Sequence, residues 1–197
     1  MSNARLQQFD RQLKRVVVSA LGAYGFALQG RRTFARSVKH DETESVQLIE
    51  FQVGTKSFIG RFTVNLAIYH ESVCHGEPLA PGSLAGSWDC PSDLVQRLGF
   101  FYQRPTGFWD RILGRKNPGP QDHWWNESAD EDTMVATFQQ IAELIVTKGL
   151  LWLNERTSRA AFRWALEELE RRRQWKAALG SPGAAPYFVS RPFSGPA

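Results

Sequence analysis

Apolar and polar positions alternate most clearly over residues 46–69, which form two runs separated by the polar stretch 54–57. A period of two residues is typical of a strand with one buried face and one wetter face. The alternating apolar residues are Ile49, Phe51, Val53, Phe62, Val64, Leu66 and Ile68. The sequence Gly-Thr-Lys-Ser between the runs has the composition of a turn, so the two runs predict a β-hairpin.

A symmetric turn at residues 54–57 would place Ile49 opposite Phe62 and Glu50 opposite Arg61. This register joins the apolar faces and pairs opposite charges, so we predict it for the hairpin. The core is predicted to combine this face with apolar residues from two helices. Its predicted members are Phe9, Leu13, Ile49, Phe51, Phe62, Val64, Leu66, Phe138 and Ile141.

Three further segments have helical spacing. Residues 3–23 predict an amphipathic helix followed by a cap at Gly25. A capping-box pattern at Ser128 and Glu131 predicts a second helix that Gly149 closes, and the apolar residues 150–153 are predicted to be buried. The last helix is predicted over residues 157–179, where the inward-facing residues are Phe162, Ala165, Leu166 and Leu169.

Strands are also predicted outside the hairpin, at residues 33–38 and, within VQRLGFFY, at residues 95–102. The elements together predict an α+β fold, in which an antiparallel β-sheet (a meander) packs against an N-terminal helix and C-terminal helices. We expect a single domain over residues 1–179. The glycine- and proline-rich residues 180–197 predict a flexible C-terminal tail.

Composition narrows the functional class only a little. The chain has 197 residues and a net charge of +4, which is compatible with an acidic partner but also with an ordinary cytoplasmic protein. The N-terminus lacks the apolar region of a secretory signal, and no apolar run approaches the ~20 residues of a membrane span. We therefore expect a cytoplasmic protein without membrane contact.

Soft metal ligands occur at His70, Cys74, His75 and Cys90. Their spacing matches no common zinc pattern, so we predict no metal site. No nucleophile elbow, phosphate-binding loop or HExxH motif is present, and we predict no cofactor.

The polar face of the hairpin is the first candidate surface. It carries Glu50, Gln52, Arg61, Thr63 and Asn65. Asparagine is a poor strand former, so Asn65 in the middle of FTVNLAIY indicates a hydrogen bond to something fixed. That group is either a binding partner or the long loop that follows His70.

The second candidate is the string Asp122, His123, Trp124 and Trp125. An aspartate beside a histidine can orient the imidazole for proton transfer. Neighbouring side chains in an extended segment point in opposite directions, however. The favoured interpretation is that one of the tryptophans anchors the segment to the core.

The order of these motifs resembles the bacterial family named domain of unknown function 4304. The shared series is YGF at 24–26, GRRTF at 30–34, IEFQ at 49–52, RFTVNLAIY at 61–69, DHWW at 122–125 and GLLWL at 149–153. The resemblance covers residues 6–154, and its most specific part is FTVNL with the flanking Phe-Gln and Trp-Trp pairs. The family carries no assigned activity, so the resemblance implies no catalytic residue.

Three hypotheses for function remain. The leading one is a non-enzymatic bacterial protein that binds another protein, of which an immunity protein is one form. The first alternative is a hydrolase or nuclease that uses polar groups around Glu50, Arg61, Asn65 and Asp122. The second is nucleic-acid binding through basic residues of the first helix and of residues 111–116.

Overall fold

The computed structural model describes residues 3–40, 43–70, 84–102 and 122–157, together with Glu167 and Arg171. These residues form an α+β fold, as predicted. The helices are α1 (Asn3–Gly22), α2 (Glu131–Leu144) and α3 (Leu150–Arg156), with a π-helical turn, Ile145–Gly149, joining α2 to α3. The strands are β1 (Ala27–Gln29), β2 (Thr33–His40), β3 (Thr43–Val53), β4 (Arg61–Tyr69), β5 (Val95–Arg97) and β6 (Trp125–Asn126).

The strands form one antiparallel sheet in the order β1-β2-β3-β4-β5, which is the predicted meander. One edge of β4 pairs with β3, while its other edge pairs with β5 and, further along, with β6. Strand β4 therefore lies inside the sheet, and all of its residues from Phe62 to Ile68 are buried.

The core lies between the sheet and α1 and α2. Phe9 of α1 packs edge-on against Phe62 of β4 and Phe138 of α2, with ring centroids 5.0 and 5.1 Å away. All the predicted core residues are buried: Phe9, Leu13, Ile49, Phe51, Phe62, Val64, Leu66, Phe138 and Ile141. The period of two residues in β3 and β4 thus identified the correct face of each strand.

The predicted hairpin register is wrong. Ile49 lies opposite Leu66, and Glu50 lies opposite Asn65 rather than Arg61. The connection is longer than a four-residue turn, because residues 56–58 form a 3₁₀ turn and the amide of Gly54 bonds to the carbonyl of Arg61 at 2.8 Å. The displacement is an even number of residues, so every side chain keeps its predicted face.

Two helix boundaries differ from the prediction. The N-cap of helix α2 is Asp130, whose side chain accepts a hydrogen bond from the amide of Thr133. The prediction of a capping box that starts at Ser128 is therefore wrong. Gly149 has helical dihedral angles and does not close the helix. A Cβ atom there would lie 3.3 Å from Leu66, so the absence of a side chain lets this turn pack against β4.

Leu151, predicted to be buried, is 58% exposed on α3.

Other predicted elements are partly confirmed. Gly25 has a φ of 80° after α1, as expected of a left-handed cap. Residues 95–102 are a strand only over Val95–Arg97, and Leu98–Phe101 form a 3₁₀ turn. The predicted helix over residues 157–179 lies outside the described residues except for Thr157, Glu167 and Arg171, and the tail 180–197 lies wholly outside them.

A partly buried polar network joins the ends of α1 and α3. Arg36 of β2 donates to Gln47 Oε1, to the carbonyl of Tyr24 at 2.8 Å and to Asn154 Oδ1 at 2.9 Å. Gln47 in turn donates to the hydroxyl of Thr157 at 2.9 Å. Burial lowers the pKa of the Arg36 guanidinium, which nevertheless stays charged at neutral pH. A cation in this position is favourable because the carbonyl ends of two helices meet there.

Among the described residues, no helix is both long enough and apolar enough to cross a membrane.

Leu66→Ala tests the core assignment. Leu66 is fully buried in β4, so we expect a loss of about 2–5 kcal/mol in the free energy of unfolding, measured by urea denaturation. Leu151→Ala is the matched control, because the same change at an exposed position should cost less than about 0.5 kcal/mol. Equal losses would contradict the burial of Leu66.

Asp130 makes stability depend on pH. Hydrogen bonds from the side chain and then the backbone of Thr133 lower the pKa of this carboxyl. A carboxyl with a lowered folded pKa stabilises the protein above its unfolded pKa, and the contribution is lost as pH falls through the folded pKa. Asp130→Asn keeps the capping acceptor without titrating. The melting temperature of the native protein relative to this variant should therefore fall on acidification, whereas a constant difference would contradict the assignment.

Candidate functional site

The face of the sheet opposite the helices is covered by residues 84–95. One half of this outer face is apolar, and its buried members are Ala35, Leu48, Ala67 and Cys90, with Val46, Tyr69, Ala85 and Val95 packed against them. The other half is polar. The outer face is therefore a second packing interface rather than a solvated surface.

A row of cross-strand partners runs through the polar half. Glu50 pairs with Thr33 on one side and Asn65 on the other, and Asn65 pairs with Arg97. Paired residues in a sheet point to the same face, so these four side chains are neighbours. The row contains two of the predicted site residues, Glu50 and Asn65.

Ser87 connects the covering segment to this row. The Glu50 carboxylate accepts hydrogen bonds from both the amide of Ser87, at 3.2 Å, and its hydroxyl. Asn65 donates to Gln52 Oε1 at 3.0 Å and to the Ser87 hydroxyl at 3.4 Å. Asn65 is only 4% exposed. These contacts match the alternative in which Asn65 holds the chain that follows His70.

The remaining residues of the predicted hairpin surface lie apart from this network. Thr63 is completely buried beside Gln52, whereas Arg61 is exposed at the start of β4, opposite Asn126. Arg61 is therefore not brought together with Glu50. Of the predicted surface, only Arg61 is well exposed to solvent, while Glu50 and Gln52 are partly covered.

The covering segment presents a tryptophan to solvent. Ser87–Asp89 form a 3₁₀ turn in which the Asp89 carboxylate accepts a hydrogen bond from the amide of Gly86 at 2.8 Å. Trp88, at the middle of this turn, is 74% exposed, and Leu84 in the same segment is 54% exposed. The turn is thus held on both sides of an exposed aromatic side chain.

The string from Asp122 to Trp125 alternates between two environments. Asp122 forms an ion pair with Arg97 and accepts a hydrogen bond from the Trp124 indole at 3.2 Å. Trp124 stacks on Phe58, with ring centroids 4.5 Å apart.

His123 and Trp125 have different neighbours. His123 stacks on Tyr102 with centroids 4.3 Å apart, and Trp125 is buried beside Phe62. The segment approaches closely because Gly99 has no side chain: a Cβ there would lie 2.3 Å from the carbonyl of His123. Trp125 anchors the segment to the core, as predicted, and the Asp122 carboxylate orients Arg97 and Trp124 rather than a histidine.

The arrangement of these side chains places few groups where they could act as a nucleophile, a base or a metal ligand. A serine beside a carboxylate, as in Ser87 and Glu50, is a possible nucleophile and base. His123 lies against the rings of Tyr102 and Trp125. Within the described ranges, no group of three His, Cys, Asp or Glu residues is placed to hold a metal ion. Cys74 and His75 lie outside those ranges.

Sequence patterns did not identify Ser87, Trp88 or Arg97. The segment around Ser87 has no strand or helix period, so nothing predicted which residues it would bring onto the sheet. The available signal was local: Gly86-Ser87-Trp88-Asp89 places turn-forming residues on both sides of a tryptophan.

Comparison with models of known protein families, with curated proteins and with solved structures gave no match to this chain.

Asn65→Ala and Arg61→Glu distinguish the buried network from the exposed end of β4. Removing the Asn65 amide leaves buried acceptors without a donor and should cost about 1–3 kcal/mol of unfolding free energy. Arg61→Glu should change it by less than about 0.5 kcal/mol, since Arg61 is exposed. The loss in the double variant should equal that of Asn65→Ala alone to within about 0.5 kcal/mol. If urea denaturation gives equal losses for the two single variants, Asn65 does not hold the covering segment.

Proposed function

We propose that this chain is a non-enzymatic protein-binding domain of the bacterial cytoplasm, and that it contacts its partner through the surface around Trp88. The observation that carries the proposal is an exposed tryptophan on a turn whose position is fixed. Trp88 is 74% exposed, while the neighbouring Ser87 is bound to Glu50 through both its amide and its hydroxyl.

Tryptophan is among the residues that most often dominate binding energy at protein interfaces. A side chain on a mobile loop would lose conformational entropy on binding, which weakens the complex. The contacts of Ser87 and Asp89 reduce that loss because they order the turn before a partner arrives. The polar residues of β3 and β4 then act through the turn that they hold, rather than by touching the partner.

The enzymatic alternative has less support. Its candidate groups have structural roles: Glu50 and Asn65 both bind Ser87, Asn65 also binds Gln52, and Asp122 pairs with Arg97. A general base needs to reach the proton of a substrate, and these carboxylates already serve as acceptors within the fold.

Nucleic-acid binding also has less support. A nucleic-acid interface needs arginines that are available to phosphates along a continuous surface. In the described part of the chain, ion pairs with carboxylates occupy Arg5, Arg15, Arg31, Arg32 and Arg97. Residues 111–116 lie outside that part.

The resemblance to domain of unknown function 4304 accords with a bacterial source and assigns no reaction. An immunity protein, which binds and blocks one toxin, is the specific form that we propose. It needs one rigid surface and no catalytic residue, which fits the fixed turn that carries Trp88.

Affinity capture from an extract of the source cells tests the Trp88 surface. The native protein should enrich a partner, and Trp88→Ala should reduce its recovery by at least about tenfold, the usual effect of losing a dominant interface residue. Leu151→Ala is the matched control, because it removes an exposed apolar side chain from α3, outside the covering segment. Mass spectrometry identifies the partner, and the melting temperatures verify folding.

Ser87→Ala tests whether the fixed turn matters. This variant keeps Trp88 but loses the hydroxyl bond to Glu50, so the partner should bind several-fold more weakly.

Equal capture by the native protein and Trp88→Ala would contradict the proposed surface. Loss of binding in Leu151→Ala alone would place the interface on α3.

A further inference from the structure

The segment that carries Trp88 is acidic, although the whole chain has a net charge of +4. Residues 84–94 contain two carboxylates, Asp89 and Asp93, and no lysine, arginine or histidine. Asp89 follows Trp88 in the 3₁₀ turn Ser87–Asp89, and Asp93 lies in the next 3₁₀ turn, Ser92–Leu94. Asp93 is exposed and Asp89 is partly exposed. The indole of Trp88 is therefore presented to solvent from a negatively charged segment.

The polar half of the sheet beneath this segment adds negative charge. Glu50, which accepts hydrogen bonds from Ser87, contributes a third carboxylate. Arg97 lies across from Asn65 on the same face, but it forms an ion pair with Asp122, and this pair has no net charge. As far as the chain is described, the charged side chains in and directly beneath the Trp88 turn thus sum to a negative charge, opposite in sign to that of the whole chain.

An indole beside a carboxylate is a favourable environment for a basic side chain. A guanidinium or ammonium group is attracted to the face of a tryptophan ring within about 6 Å, and a carboxylate binds a guanidinium through charge-assisted hydrogen bonds. The chain contains this arrangement elsewhere on the same face of the sheet. The Arg97 guanidinium lies 5.3 Å from the centroid of the Trp124 ring and pairs with Asp122.

Trp88 and Asp89 offer the same two groups, an aromatic face and a carboxylate, on an exposed turn. One oxygen of Asp89 accepts a hydrogen bond from the amide of Gly86, and a carboxylate has further acceptor positions. A basic side chain of another molecule can therefore contact both groups without displacing the bond that orders the turn.

We propose that the partner of this chain presents an arginine or lysine side chain to Trp88, within a basic surface that faces Asp89 and Asp93. This inference rests on the proposed function, because it concerns the same surface. Complementary charges affect the choice of partner and the association rate more than the affinity. Contact with the indole of Trp88 then supplies affinity, whereas the carboxylates select basic partners over acidic ones.

A random dodecapeptide library displayed on phage tests this inference. Selection uses the full chain, after phage that bind Trp88→Ala have been removed. We expect the enriched peptides to contain at least about twice as much arginine and lysine as the unselected library. The double variant Asp89→Asn with Asp93→Asn should not enrich basic peptides, although asparagine at position 89 keeps an acceptor for the amide of Gly86. Glu155→Gln is the matched control, because it neutralises an exposed carboxylate on α3.

Titration with the most enriched peptide measures the contribution of charge. Replacing its basic residues with citrulline, a neutral isostere of arginine, should raise the Kd at least about threefold, and the double variant should do the same. Both effects should shrink at a salt concentration of about 1 M, where the Debye length is about 3 Å. Trp88→Leu keeps an apolar side chain without an aromatic face, so it should also bind the peptide at least about threefold more weakly.

Three peptide results would overturn the inference: enrichment of neutral or acidic peptides, no enrichment that depends on Trp88, or equal binding of a basic peptide to the native protein and the double variant. Each of them leaves the proposed function intact if Trp88→Ala still loses the captured partner. Equal capture by the native protein and Trp88→Ala contradicts the proposed function, and the inference falls with it.

Discussion

The burial of β4 on both faces is the constraint on which the fold depends. Every residue from Phe62 to Ile68 is buried, so the chain has to cover the strand twice. Helices α1 and α2 cover the apolar face, whereas residues 84–95 cover the other. The second face includes Thr63 and Asn65, and buried polar groups cost free energy unless they form hydrogen bonds. Asn65 meets this requirement through Gln52 and Ser87, which fixes where the covering segment crosses the sheet.

The period of two residues predicted the strand faces because burial acts on each side chain separately. Register was not predictable in the same way, since it depends on the geometry of residues 54–60, and their 3₁₀ turn leaves no periodic signal. The predicted and observed partners of Glu50 differ by an even number of residues, so the predicted core residues were correct although the register was not. For the polar face, the sequence showed that Asn65 needed a partner. It did not show that the partner was Ser87, because irregular segments carry no pattern that relates them to a strand.

Helix boundaries show the same division between local and long-range information. Asp130 and Ser128 are both residue types that favour the N-cap position. The N-cap is Asp130, whose carboxylate accepts a hydrogen bond from Thr133. Glycine often follows the end of a helix, but Gly149 lies within one. Its role is to allow close packing against Leu66 and Leu98. Local propensity cannot distinguish these uses of glycine, because the second depends on a strand that is distant in sequence.

Ion pairs hold several arginines of the described residues against the fold. Asp10 of α1 binds both Arg31 and Arg32, at 2.9 and 2.6 Å, and Arg5 pairs with Glu127 at 2.8 Å. These pairs fasten α1 to the β1–β2 turn and to the residues after β6, so the arginines act within the fold. The carboxylates of Asp10 and Glu127 are largely buried, and each pair orients the elements that it joins. The side chains of Trp88 and Leu84, by contrast, extend from an ordered segment into solvent. Recognition by this surface would therefore depend on apolar contact in a fixed geometry more than on net charge.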